Sequence, residues 1–205
     1  EFAFDKLNTK ADVDRFFKTV FPDFHQMMPD IADKWEDHPL SNLAIIRCYP
    51  WAHGKVGLMG DAAHATVPFY GQGMNAGFED CRILDELLDK HEGDLKSCFE
   101  EYSKTRKPNG DGVQDLSMHN FIVMRDKTAD PNFLLQKEIE KKFANLYPDK
   151  WTPLYSMVSF TNTPYSDAWE IGMKQEKMME EIMKTQNIEK EWKSDEIMQK
   201  MLSLV

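Results

Sequence analysis

The sequence is 205 residues long and carries 35 acidic against 25 basic side chains, a formal net charge of −10. Its 41% hydrophobic content is enough to bury a core and argues against wholesale disorder. The acidic balance, with no basic stripe interleaved with aromatics, makes nucleic acid a poor partner. Cys48, Cys81 and Cys98 are too few and too widely spaced for a disulfide framework or a CxxC metal knuckle. They point to a reducing cytoplasm. No apolar run approaches the ~20 residues of a membrane span, so no membrane partner is expected.

Residues 1–5 alternate as a strand, with Phe2 and Phe4 on one face and no signal-peptide pattern, which suggests a native chain that begins earlier. Thr9 opens a helix to Phe21. Asp12 follows the cap at capping-box spacing, and Val13, Phe16, Phe17, Val20 and Phe21 share a face. Pro22 ends that helix, and a short second one holds Phe24, Met27 and Met28. Residues 43–49 read as a strand. Residues 55–59 read as a strand buried on both faces, ending at Gly60-Asp61. A helix follows from Gly73, with Met74, Phe78, Cys81, Leu84 and Leu88 along one side. Residues 94–107, 113–127 and 132–147 read as three helices punctuated by Pro108, Asn109, Gly110 and Pro131. Residues 155–160 read as a strand or extended segment. A Met-rich helical tail follows, with Ser194 capping a last helix that bears Ile197, Met198, Met201, Leu202 and Val205. The change of texture near residue 93 divides an α/β part, residues 1–93, from a mainly α part, residues 94–205.

The chemistry concentrates in residues 60–81, GDAAHATVPFYGQGMNAGFEDC. Asp61 stands where a strand would emerge, the place at which open α/β sheets bind ligands, and a carboxylate there can accept bonds from sugar hydroxyls. Gly71 and Gly73 permit a tight exposed turn, and the helix it opens presents free N–H groups to an anion or an electron-rich oxygen. The loop is neither a P-loop nor a GxGxxG fingerprint. On the residues alone, a ligand loop and a plain strand–turn–helix connection both remain open.

This stretch closely resembles the GD motif and following loop of the class A flavoprotein monooxygenases, the family of para-hydroxybenzoate hydroxylase. The downstream segments DLSMHNFIVM (residues 115–124) and PLYSMVSF (residues 153–160) carry the likeness on, so that it covers about residues 35–165. They narrow it to a branch acting on a small aromatic amino acid. The resemblance implies the C-terminal part of such a fold, without its N-terminal dinucleotide-binding βαβ unit. It implies FAD as cofactor and NADPH as cosubstrate. Gly60 belongs to the GD motif, and Asp61 would hold a ribityl hydroxyl. Pro68 and Phe69 would lie beside the isoalloxazine ring, Phe69 toward the substrate. Gly71, Gln72, Gly73, Met74 and Asn75 would turn backbone N–H groups to the flavin N1–C2=O edge. Asn120 and Tyr155 would grip the amino-acid end of the substrate, and Met124 would line its pocket. Tyr70 receives no role, and no catalytic acid or base and no metal ligand is assigned.

The departure from the family pattern is the missing strand–GxGxxG–helix unit, together with the N-terminal arginine and tyrosine expected at the substrate carboxylate. The missing N-terminal part of the same protein is therefore an expected partner, and this chain alone is expected to be inactive. Plainer readings stand beside the functional ones. Asp61 could cap a turn, and His64 is better read as a packed, hydrogen-bonded residue than as a ligand. Asn120 and Tyr155 could be satisfied core residues. Arg106-Lys107 reads as helix-dipole compensation. The rival functions are another class A aromatic hydroxylase, or a helical interaction module using an exposed Met-rich tail.

Overall fold

Local hydrogen-bond chemistry starts the helices where the sequence signals them. The computed structural model describes residues 3–38 and 40–205. They divide into two compact units, Glu1–Leu43 and Ala44–Val205. In the first, the expected strand at residues 1–5 begins outside the described residues, and Phe4–Lys6 is a single 3-10 turn. Thr9 caps α1 (Lys10–Val20): its side-chain oxygen accepts from the Asp12 N–H at 3.2 Å, and its hydroxyl donates to the Asp12 carboxylate at 2.6 Å. Val13, Phe16 and Phe17 are buried with Leu7 and Ile31, whereas Val20 and Phe21, expected on the same face, are exposed. Pro22 starts α2 (Pro22–Met27) as well as ending α1, because the first turn of a helix does not use the missing N–H. A one-turn helix α3 (Ile31–Lys34) follows.

The second unit opens with corrections. Residues 44–49 form no strand, since an extended segment becomes one only by pairing. The backbone bond made here is a single one, from the Ile46 N–H to the Ala65 carbonyl at 3.2 Å. The strand expected across residues 55–59 is reduced to a two-residue hairpin, β1 (Ala52–His53) antiparallel to β2 (Val56–Gly57). Val56 is 67% exposed, so the apolar run is covered on neither face. Among the described residues this hairpin is the whole sheet component of the expected α/β part.

Helices build the rest. α4 (Asp61–His64) and a 3-10 turn at Pro68–Tyr70 lead into α5 (Gly73–Lys90). The helix from Gly73 is as expected, but its buried face is Ala76, Asp80 and Leu87, while Met74, Phe78 and Cys81 are exposed. The two helices expected around a break at Pro108–Gly110 are one, α6 (Leu95–Ile122), continued by a π-helical turn at Val123–Lys127. The break residues serve packing instead. A Cβ at Gly110 would lie 2.5 Å from the Trp51 ring, and one at Gly112 would lie 2.7 Å from the Ser166 backbone nitrogen. The Asn109 side-chain oxygen accepts from the Ser166 N–H at 3.3 Å. α7 (Pro131–Leu146) is capped by Asp130.

Residues expected to be extended at 155–160 are instead helical, α8 (Leu154–Phe160). The tail forms α9 (Tyr165–Met183), α10 (Ile188–Glu191) and α11 (Asp195–Leu204), the last capped by the Ser194 hydroxyl oxygen accepting from the Ile197 N–H at 3.3 Å. Met179, Ile182, Met198 and Met201 are buried against Ile139 and Phe143 of α7, so the methionines of the tail are core rather than an exposed face. Methionine suits that place because its unbranched chain fills irregular gaps. Val113 and Leu116 of α6 pack on Ala168 of α9, and Trp51, Ala63, Cys98 and Tyr102 form a further cluster. No helix among the described residues is long and apolar enough to cross a membrane.

Candidate functional site

The 60–77 segment folds into an open groove with two walls. Gly60, at φ 58°, turns the chain into α4, so Asp61 begins a short helix rather than following a buried strand. Gly71, at φ 67°, closes the 3-10 turn in the left-handed region, where a side chain is strained, and hands the chain to α5. Gly60, Asp61, Thr66 and Pro68 line one side of the groove; Gly71, Gly73, Met74 and Gly77 line the other. A Cβ built on Gly60 or Gly71 would meet nothing within 4 Å, so the space in front of both is open. The Asp61 carboxylate is exposed and has no hydrogen-bond partner among the described residues. The first bond inside α5 runs from the Ala76 N–H to the Gln72 carbonyl at 2.9 Å, which leaves the N–H groups of the preceding turn for an outside acceptor.

The structure brings six of the eight residues assigned to the cofactor to this groove. The side chains of Gln72 and Asn75 go elsewhere. The Gln72 side-chain oxygen accepts from the Asn75 amide at 2.9 Å and from the Tyr165 hydroxyl at 3.1 Å. Both residues line a second groove against the chain from Val158 to Tyr165. Their backbone N–H groups still belong to the start of α5.

Of the residues assigned to substrate, Phe69, Asn120 and Met124 converge, and Tyr155 meets Tyr70. Asn120 donates to the Phe69 carbonyl at 2.7 Å and lies 3.6 Å from the Met124 sulfur. The Phe69 ring packs on Phe121 at 4.5 Å between centroids. Tyr155 stacks on Tyr70 at 5.8 Å. Asn120, Tyr155 and Tyr70 line a common pocket with His119, Glu140 and Glu176; Phe69 and Met124 lie outside its lining. Tyr70, to which the sequence assigns nothing, is thus a wall of the pocket, and burial pushes its hydroxyl up to about 12. The Glu176 carboxyl is held down at about 2 by its bond to His119, with burial opposing and Lys127 reinforcing.

Sequence reasoning missed a buried polar network behind the groove. Asp80 is fully buried and accepts from His64 at 2.5 Å, from the Gly60 N–H at 3.1 Å and from Arg106 at 2.8 Å. Arg106 also pairs with Glu79 at 2.8 Å. Burial pushes the Asp80 carboxyl up, but the bonds from His64 and Arg106 outweigh it and hold the group below the ordinary carboxylate range. Arg106 therefore does not compensate a helix dipole: it lies in the interior of α6, almost wholly buried, and neutralises Asp80. His64 is the packed residue expected, and no group of metal-ligating side chains exists among the described residues. A signal was present, since a carboxylate at position 80 shares a helical face with Ala76, Leu84 and Leu87 and so requires partners. Gln114 was missed as well. Buried on α6, it donates to the carbonyls of Ile46 at 2.7 Å and Ala65 at 2.9 Å, stapling the segment ahead of Thr66.

Residues 28–117 match the FAD binding domain family. Over its whole length the chain is 46% identical to a protein of Christiangramia forsetii and 48% identical to one of Flavobacterium psychrophilum, in each case covering 46% of the relative. It is 44% identical to a protein of Cytophaga hutchinsonii, again over 46% of that protein. All three relatives are named kynurenine 3-monooxygenase. The chain thus spans about half the length of the curated relatives it matches.

Proposed function

We propose that this chain, which is similar over its whole length to about half of each kynurenine 3-monooxygenase relative and matches the FAD binding domain family over residues 28–117, supplies the flavin-edge and substrate-pocket half of an FAD-dependent, NADPH-using aromatic hydroxylase that converts L-kynurenine to 3-hydroxykynurenine. The observation that carries the proposal is the placement of the two sites. The open groove at Gly60, Asp61, Gly71, Gly73 and Met74 and the pocket at Asn120 and Tyr155 meet one segment: Thr66, Val67 and Pro68 line the groove, and Tyr70 lines the pocket.

The residues present fit a flavin. The groove is walled by glycines whose missing side chains leave room for a flat ring and its sugar chain. Asp61 offers an unpaired carboxylate to a ribityl hydroxyl. The start of α5 offers N–H groups and the positive end of a helix dipole to an electron-rich ring edge. Bound FAD would supply the redox chemistry, drawing electrons from NADPH and activating oxygen. The chain's own residues position. Pro68 and Phe69 form the partition between ring and substrate. Asn120 is fixed by the Phe69 carbonyl, so its side-chain oxygen remains to accept from the amino-acid end of the substrate. Tyr155, braced by Tyr70, closes the opposite side, and Met124 adds an apolar contact beside Asn120.

The division at residue 93 is then one of roles, flavin contacts before it and pocket helices after it. With no GxGxxG unit among its 205 residues, the chain alone should hold FAD weakly and turn over no substrate. The cytoplasm as its setting belongs to the same proposal and rests on the three free thiols. The test is aerobic assay, with NADPH, of this chain joined to the N-terminal half of such a hydroxylase and loaded with flavin, following 3-hydroxykynurenine by chromatography. Product from kynurenine but not from para-hydroxybenzoate is expected. Preference for another aromatic acid would replace the substrate, and failure to bind FAD in any form would remove the reading.

A further inference from the structure

The two walls of the groove belong to different elements, and one buried side chain joins them. Gly60 and Asp61 form the first wall, on the loop into α4. Gly73, Met74 and Gly77 form the second, on α5. Asp80 is on α5, less than one turn beyond Gly77, and its side chain accepts the Gly60 N–H. The same carboxylate oxygen accepts from His64, at the far end of α4, so both ends of that short helix are attached to α5 through one atom. The other oxygen accepts from Arg106, which fixes the carboxylate's rotation against α6. We propose that Asp80 is a positioning residue for the cofactor loop: it sets the width of the groove and the direction of Asp61 without touching the ligand.

This inference rests on reading the groove as the flavin site, but the tie itself can be measured separately. A buried aspartate with these partners is costly to build, and a structure needing only rigidity at this point could use apolar contacts instead. The position of the bond matters more than its strength. Gly60 sits at φ 58°, next to the residue that faces the groove, and its N–H is the donor Asp80 receives. The His64 ring has one nitrogen on Asp80, and its other nitrogen is buried without a hydrogen-bond partner. The imidazole can therefore exchange its donor and acceptor nitrogens at little cost, whereas a backbone N–H cannot.

Asp80→Asn exploits that difference. With its oxygen toward Arg106, the new amide turns its NH2 to His64, which adapts by changing tautomer, and to the Gly60 N–H, which loses its acceptor. Asp80→Asn in the flavin-bound protein should raise the FAD dissociation constant on the order of tenfold, equivalent to about 1.4 kcal/mol, and shift the visible spectrum of the bound flavin. In the flavin-free chain, hydrogen exchange at the Gly60 amide should accelerate. Cys98→Ala is the structural control: Cys98 is fully buried in the cluster with Ala63 and Tyr102, but has no bond to the loop. It should lower the melting temperature and leave FAD affinity and spectrum as they are. Wild-type FAD affinity in Asp80→Asn overturns the proposal, as does an equal loss of affinity in Cys98→Ala. If the unmodified protein binds no FAD, the flavin reading falls. Gly60 exchange then decides the tie alone, and unchanged protection in Asp80→Asn refutes it. Should Asp80→Asn not fold, the His64 pair replaces it. His64→Gln can place an amide donor where the ring nitrogen meets Asp80, whereas His64→Asn cannot reach. Only His64→Asn should weaken FAD, and equal behaviour of the two would refute the role.

Discussion

Gly112→Ala sets two opposed effects against each other on α6, and the structure decides the sign. Alanine in a helix interior is favoured over glycine by about 1 kcal/mol. The new Cβ, however, would lie 2.7 Å from the Ser166 nitrogen, 2.8 Å from the Tyr165 carbonyl carbon and 2.9 Å from its oxygen. These are backbone atoms at the first turn of α9, and they cannot swing aside as a side-chain end can. The start of α9 would have to retreat by roughly 1 Å to restore ordinary contact. That movement strains the bonds from Ser166 to Asn109 and from the Tyr165 hydroxyl to Gln72, and loosens Ala168 from Val113 and Leu116. Overpacking of this kind costs about 1–3 kcal/mol, and a lost hydrogen bond about 0.5–1.5 kcal/mol more. After the propensity gain, a net destabilisation of about 1–3 kcal/mol is expected, read as a lower urea midpoint. Gly77→Ala is the matched comparison: it is also helical, but its Cβ meets nothing within 4 Å, so it should stabilise by about 0.5–1 kcal/mol. A Gly112→Ala chain as stable as the original would show that α9 does not lie against α6 in this way.

Asp61→Ala should weaken FAD retention by roughly 1.5–3 kcal/mol, the worth of a hydrogen bond to a charged acceptor, while leaving the melting temperature unchanged, because the carboxylate has no partner among the described residues; equal flavin content in the two proteins would dispose of the assignment. Glu176 has a folded pKa of about 2, below its unfolded value, so its stabilisation is present above about pH 4.5 and is lost as pH falls toward 2. The stability gap between the chain and Glu176→Gln, about 1–3 kcal/mol at pH 6, should narrow steadily below about pH 4.5 and be largely gone only at about pH 2 in urea titrations; a gap independent of pH would contradict the ion-pair account. Ser194→Ala removes the cap of α11 and should cost about 1 kcal/mol, seen as faster hydrogen exchange at Ile197, whose N–H it now bonds.

The parts legible in the sequence are those whose cause lies within a few residues. Thr9 with Asp12, and Ser194 with Ile197, are caps written in local spacing, and both helices begin where those signals stand. The groove was legible for the same reason. Its walls are backbone turns and a helix start, set by Gly60, Gly71 and Gly73, and the motif lists their chemistry in order. Burial faces were less legible. Met74 and Phe78 look like core by composition, yet they are exposed, because hydrophobicity marks which residues favour burial and not which neighbour arrives to bury them.

Tertiary structure decided the rest through partners distant in the chain. Pro108, Asn109 and Gly110 signal a break, but the residues that make a continuous helix worthwhile are Trp51 against Gly110 and Tyr165–Ser166 against Gly112, between about fifty and sixty positions away on either side. Residues 155–160 suit a strand by propensity, and without a sheet to join they satisfy their backbone internally within the helix Leu154–Phe160. Asp80 is marked by the sequence only as a carboxylate on an apolar helical face; its partners Gly60, His64 and Arg106, up to 26 positions away, are not. Short-range order determines which backbone conformations a segment favours; only the fold determines which distant group will meet a buried charge, and that meeting gives the charge its role.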